Sequence, residues 1–372
     1  MSMEPVLTFG ELTLTPYGLT LAAGTLLSLL VSLYFFHRSG LSSRDCATAY
    51  LVSIPSGLIF GHLVWCLGFF DTVEAEDFLM LWRGGYTLYG AILGILLCVY
   101  LTFRKSAAGF PRVLDALAPG AAVLIAAGRL AEAFTDQGVG AVVENELLWR
   151  LPFSVCTYAD ADYAEWQTAV FLWEAVMALV LFVYAAWLFR KKLTYGGVAF
   201  RFLSLLSASQ IVLEQLRQDD KVRFGYVSLT QLLALAVLIA LVATRVREEG
   251  LLGKTGLLFG LTFLFSASAI VFLEFSIQKA QFYPFLMISG VLEAGACFLF
   301  AHEAKERKTG HLLVLSLVAL VSSLAGCFTE EFLPDVQPLF FYGAMVLYSL
   351  LLHGLCVSVA QKGEAANVIT SF

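Results

Sequence analysis

Residues 113–137 read VLDALAPGAAVLIAAGRLAEAFTDQ, and the rest of the chain is interpreted outward from them. From 116 to 127 the stretch is apolar and rich in small residues, as suits a helix packed closely inside a bilayer. Gly128-Arg129 then arrives, with Glu132 three places on and Asp136 and Gln137 beyond. An arginine where an apolar helix leaves the bilayer is costly unless it finds a partner or a ligand. Glu132, at i+3, falls on the same helix face and is the nearest candidate.

Composition sets the class. Hydrophobic residues make up 59% of the 372, charged ones 14%, and the mean hydropathy is +0.81. That profile indicates a polytopic membrane protein rather than a soluble domain. The apolar runs are continuous over about 20 residues, so they predict helices and not the alternating strands of a barrel. The 31 Phe, 14 Tyr and 6 Trp suit a lipid-facing surface with interfacial rings. The net charge of −6 is spread over short loops, and no nucleic-acid partner is expected. Seven cysteines without a CxxC pair read as small packing residues, and five scattered histidines carry no ligand spacing, so neither metal nor cofactor is expected. Glu4 and Glu11 precede the first apolar run with no Lys or Arg, which argues for a retained span and against a secretory signal.

Eleven spans follow, at 14–36, 47–68, 86–103, 113–134, 168–189, 201–216, 227–244, 255–276, 284–301, 311–328 and 339–359, the sixth being short and the most polar. The predicted fold class is therefore all-α, with about 11 transmembrane helices. Alternate loops hold 16 of the 23 basic residues on one side, among them Arg38, Arg104, Arg112, Arg190 and Arg245. By the positive-inside rule that side is cytoplasmic, placing the N-terminus outside and the C-terminus inside. The longest outer loop, 135–167, is expected to be functional or a small cap. The charged break at 245–250 marks a boundary between a front bundle, 1–247, and a four-span extension, 248–372.

Polar residues inside the spans then acquire a depth. Ser207, Gln210, Glu214 and Arg217 share one face of span six running to its outer end. Tyr17 opens span one, Gly84-Gly85 and Tyr89-Gly90 open span three, and Gln231 lies near the outer end of span seven. Each has a bland explanation: Arg129 snorkels, Glu214 and Arg217 pair at a frayed helix end, the tyrosines belong to an aromatic belt, the glycines serve close packing, and Gln231 bonds a neighbouring helix. Together, two arginines and two glutamates at one level suggest a site for phosphate, which at this depth means a phospholipid. Glu174, Glu274 and Glu293 are lone carboxylates with no role assigned.

Several segments resemble the prolipoprotein diacylglyceryl transferase family, in order and in spacing. They are Pro16-Tyr17-Gly18; Trp82-Arg-Gly84-Gly85-Tyr86-Thr87-Leu88-Tyr89-Gly90; Asp115-Ala-Leu-Ala-Pro119; Gly128-Arg129-Leu130; Trp173-Glu174; Glu214-Gln-Leu-Arg217-Gln218; and Ser228-Leu-Thr-Gln231. The resemblance covers roughly 1–247. It implies a seven-span bacterial plasma-membrane enzyme that moves the diacylglyceryl group of phosphatidylglycerol onto the lipobox cysteine thiol of a prolipoprotein at the outer leaflet, releasing glycerol phosphate. The partners it implies are phosphatidylglycerol, the prolipoprotein signal peptide and membrane lipids. It implies that Arg129 holds the lipid phosphate, that Glu214 orients the site, and that Tyr17 stands at the lipid entrance.

Where the family carries His-Gly-Gly, this chain has Tyr89-Gly90-Ala91. The family's second span-six arginine is Gln210 here, the asparagine after Gly-Arg is Glu132, and a later glutamate is Gln137. Tyr89 and Glu214 are thus the expected catalytic residues. Arg129, Arg217, Tyr17, Glu132, Gln137, Gln210 and Gly90 are the expected lipid-phosphate residues. A phenol of pKa about 10 is a weak base for a thiol of about 8.5. Two readings stay open: a transferase with a modified site, or a lipid-binding or partner protein of the same fold that has lost the chemistry. A solute transporter ranks third, because the polar groups gather at one leaflet.

Overall fold

The computed structural model describes residues 7–9, 12–70, 72–74, 76–81, 84–135, 137–143, 146–159, 164–191, 193–218, 223–224, 227–248, 254–278, 283–304, 310–329, 332 and 337–369. Trp82, Arg83, Asp136, Glu144, Asp160 and Asp162 lie outside them. Among the described residues, eleven α-helices follow in order: α1 Pro16–Arg38, α2 Ser43–Gly68, α3 Leu88–Phe103, α4 Phe110–Ala131, α5 Val170–Leu188, α6 Gly197–Leu216, α7 Leu229–Glu248, α8 Lys254–Gln278, α9 Tyr283–Ala304, α10 Gly310–Thr329 and α11 Gln337–Ile369. Among the described residues, seven are long and apolar enough to cross a membrane: α1, α2, α4, α5, α6, α10 and α11. The protein is an all-α, multi-pass membrane protein. α6 is the least apolar of the seven, as its polar face predicts.

Short antiparallel ribbons accompany the helices. They are β1 Leu7–Phe9 with β2 Leu12–Leu14, β3 Ser154–Ala159 with β4 Ala164–Thr168, and β5 Arg223–Phe224 with β6 Val227–Ser228. The hydropathy pattern does not announce them, because strands of two to six residues are too short to show a period. The β3–β4 hairpin folds the stretch after α4 back on itself. Residues 140–143 run beside β4 through Gly140 N to Thr168 O at 2.8 Å and Val143 N to Trp166 O at 2.7 Å.

The chain divides into two compact units: Met1–Phe202 with Leu216–Val222, and Leu203–Gln215 with Arg223–Phe372. This is a partition by packing, whereas the boundary expected from sequence at 247 rests on the charged break at 245–250. In the first unit α4 packs against α1 and α5, and α2 packs against α3. Small residues allow the close approach: a side chain at Gly120 would run into Ser32, and one at Gly24 into Ala127. Ser28 Oγ donates to Gly120 O at 2.7 Å, and the Tyr50 hydroxyl meets Ser28 Oγ at 2.6 Å and Ser32 Oγ at 2.9 Å. This buried network ties α1, α2 and α4 together. In the second unit α8 packs on α9, α9 on α10, α10 on α11 and α11 back on α8.

The motif residues that open helices have local reasons. Thr15 caps α1 by accepting from Gly18 N at 3.2 Å, with Pro16 in the first turn, the position that tolerates proline. Gly84 and Gly85 hold φ of +85° and +78°, a region open to glycine, and a Cβ on Gly85 would run into the Trp65 indole. The buried His62 ring faces Asp77 O at 2.8 Å and Gly85 O at 3.0 Å, tethering this loop to α2.

Candidate active site at the C-terminal end of α4

Arg129 sits in the last turn of α4, which tightens into a 3-10 turn at Glu132–Phe134. That turn packs against α1 and α5. Arg129 Nη1 donates to Glu132 Oε1 at 2.5 Å, the i+3 partner expected from sequence. Arg129 Nε also lies 3.4 Å from Glu174 Oε2, on the first turns of α5. Arg217, one residue past the end of α6, places Nη1 2.8 Å from Glu174 Oε2 and 3.3 Å from Glu132 Oε2. The four groups therefore form a closed ring of alternating charge, Arg129–Glu132–Arg217–Glu174. The side chains are only 13%, 13%, 9% and 2% exposed in that order. At such depth each charge needs its counter-charge, since losing one partner leaves an uncompensated buried ion.

The backbone around the ring is fixed at several points. Phe171 N donates to Gly138 O at 2.7 Å, and Gln218 N to Val139 O at 3.0 Å. The first anchors the α4–β3 stretch to the start of α5, and the second holds the segment carrying Arg217. Gly138, at φ +73°, packs closely against Glu132 Oε2, and a Cβ there would clash with it and with Phe171.

The other expected residues fall in different places. Tyr17, half-buried on the first turn of α1, is within electrostatic reach of Arg129, Glu132 and Tyr86. Gln137 is exposed, its backbone N donating to Thr135 Oγ1 at 3.2 Å. Tyr89 is 1% exposed, in the first turn of α3. Gly90 lies where α3 crosses α2: a Cβ there would meet Phe60 O at 2.7 Å and Val64 Cβ at 2.8 Å. Its glycine character thus has a packing reason. Gln210 and Glu214 belong to the second unit, both 4% exposed, with Gln210 Nε2 3.4 Å from Glu214 Oε2. Gln231 is a helix-start residue. Its Oε1 accepts from Ser228 N at 3.0 Å, its own N donates to Ser228 Oγ at 3.1 Å, and its Nε2 reaches Ile211 O at 3.1 Å.

Two residues carry more than sequence reasoning assigned them. Glu174, left without a role, touches both arginines; the available signal was its depth, a carboxylate a few residues inside span five. Asp115 is buried near the start of α4, and its two oxygens accept from Gly196 N and Ala199 N, each at 2.7 Å. It caps the N-terminus of α6, where a carboxylate meets free backbone amides and the positive end of the helix dipole.

A family model for prolipoprotein diacylglyceryl transferase matches residues 5–247. Among curated relatives, the phosphatidylglycerol–prolipoprotein diacylglyceryl transferase of Clostridium kluyveri is 24% identical over 237 residues, covering 62% of this chain and 91% of the relative. The protein of the same name from Lactobacillus delbrueckii subsp. bulgaricus is 25% identical over 253 residues, covering 65% and 90%. That of Clostridium botulinum is 24% identical over 236 residues, covering 62% and 91%. With about two-thirds of its length matched by that family model, the chain belongs to the prolipoprotein diacylglyceryl transferase family.

Proposed function

We propose that this protein transfers the diacylglyceryl group of phosphatidylglycerol to the lipobox cysteine of a prolipoprotein, at the outer leaflet of a bacterial plasma membrane. The basic loops then face the cytoplasm and the α4 C-terminal end faces outward. In the reaction the cysteine sulfur attacks the glycerol carbon that bears the phosphate ester. A C–S bond forms, the C–O bond to phosphate breaks, glycerol phosphate departs with the electron pair, and the thiol proton passes to a base. Such a step needs positive charge over the departing phosphate and an acceptor for the proton.

The buried pair Arg129 and Arg217 is the observation that carries this reading. Two guanidinium groups on one carboxylate are a geometry that binds phosphate oxygens well. By the family resemblance, Tyr17 stands at the lipid entrance and Tyr89 and Glu214 are the candidate proton acceptors. The test is transfer from labelled phosphatidylglycerol to a lipobox peptide by the purified full-length protein. The expected products are a thioether lipopeptide and free glycerol phosphate, both absent with a Cys→Ser peptide. Folded protein that yields neither overturns the reading.

The alternative is a lipid-binding protein without chemistry, favoured by the near-complete burial of Tyr89. It predicts lipid binding that Arg129→Ala abolishes, with no glycerol phosphate released.

A further inference from the structure

The charged ring has an arithmetic that bears on how a lipid enters it. Two guanidinium groups and two carboxylates sum to zero net charge. Counted over these four groups, adding a phosphodiester sets three anions against two cations where the side chains are mostly out of water. Like charges brought together at low dielectric repel strongly. One carboxylate must therefore give way for an anionic headgroup to sit between the arginines.

The two carboxylates are not equivalent. Glu174 is 2% exposed, rises from the regular α5, and has its Oε2 within reach of both arginines. Glu132 is 13% exposed and begins a 3-10 turn at the end of α4. It bridges the two cations with separate oxygens, Oε1 to Arg129 and Oε2 to Arg217. That is how a phosphate presents two non-bridging oxygens to paired arginines. Gly138 packs directly against Oε2, where a side chain would clash with it.

We propose that Glu132 occupies the phosphate seat of this site as an internal anion, and that an anionic phospholipid binds by displacing it from Arg129 and Arg217. Glu174 stays in place and keeps the arginines aligned. The inference rests on the reading that these arginines receive a lipid phosphate, and it makes Glu132 the residue that sets the affinity for that headgroup. The exchange keeps the ring neutral, because one anion replaces another. Only anions that outcompete a tethered carboxylate are then held, which selects for a phosphate that brings lipid contacts of its own.

The experiment compares wild type with Glu132→Gln, Glu132→Asp and Arg129→Ala, each as the full chain in detergent. Short-chain phosphatidylglycerol, diacylglycerol with the same acyl chains, and soluble glycerol phosphate are titrated into each. Glu132→Gln preserves the side-chain size and removes the competing charge, so phosphatidylglycerol should bind about tenfold tighter than to wild type, while diacylglycerol is unchanged. Glu132→Asp, a carboxylate drawn back by one methylene, should bind between the two and serves if the Gln variant does not fold. A gain for glycerol phosphate alone identifies the seat as a headgroup site; a gain only for the lipid shows that acyl contacts are required for displacement. Either supports the proposal. If Arg129→Ala loses binding but neither Glu132 variant gains any, Glu132 is a brace for the arginines and the proposal fails, with the phosphate reading intact. If Arg129→Ala binds phosphatidylglycerol as wild type does, the phosphate reading itself fails.

Discussion

The two ends of α4 each bury charge, and they handle it in opposite ways. Near its start, Asp115 gives its two oxygens to the backbone amides of Gly196 and Ala199, groups that every helix N-terminus leaves without an intrahelical partner. At its end, Arg129 meets Glu132 and Glu174, which also meet Arg217. A carboxylate on backbone amides is bound to something that cannot leave without unwinding a helix. Side-chain charges that neutralise one another can change partners while the backbone stays where it is. The first arrangement serves construction. The second suits a site, since a ligand's charge can replace a resident one.

That contrast can be broken by three substitutions, two on α4 and one on α2 where it packs beside α4. Arg129→Ala should have the largest effect on function, since removing one partner of a buried ion pair leaves the other charge uncompensated, at about 3–5 kcal/mol. Here it should appear as at least a hundredfold loss of transfer, or of phosphatidylglycerol binding, in folded protein. If it costs only thermal stability, the ring is a structural brace and the contrast disappears. Asp115→Ala removes two charge-assisted hydrogen bonds, each contributing about 1.5–3 kcal/mol. It should lower the unfolding temperature in detergent markedly, with Asp115→Asn falling between it and wild type. Should Asp115→Ala instead abolish lipid binding at unchanged stability, the start of α4 belongs to the site as well. Tyr50→Phe acts midway, removing the hydroxyl that meets Ser28 and Ser32 beside Gly120. A loss of about 0.5–1.5 kcal/mol is expected, seen as a small drop in unfolding temperature with lipid binding intact. It sharpens the contrast by giving the cost of a buried polar contact that is neither cap nor ring.

Much of the helical layout was legible in the sequence. In a bilayer every backbone amide must be satisfied within its own segment, so long apolar runs have little choice but to be helices. The edges were less so. Span six was expected from residue 201, but α6 begins at Gly197, because Asp115 supplies a cap from 81 residues away. Span seven was expected from 227, but a Ser228–Gln231 capping pair starts α7 at Leu229. Span six was expected to end at 216, where α6 does stop, so Arg217, grouped with its polar face, lies one residue past the helix.

The site divides the same way. Arg129 with Glu132 was readable, since three residues on a helix put two side chains on one face. Glu174 was not, because a lone carboxylate in a span has no local signature to say what it meets. Gly90 entered the expected site through its motif, and the structure supplies a packing reason for it at the α2–α3 crossing.

By itself, then, the sequence determined the class of protein, the helices that build it and the pairing of Arg129 with Glu132 within a single helical turn. Only tertiary structure decided that Arg217 meets Glu174 across 43 residues and Glu132 across 85. Hydropathy and helical period are properties of neighbours along the chain, whereas closing a ring of four charges depends on how α4, α5 and the segment after α6 pack against one another.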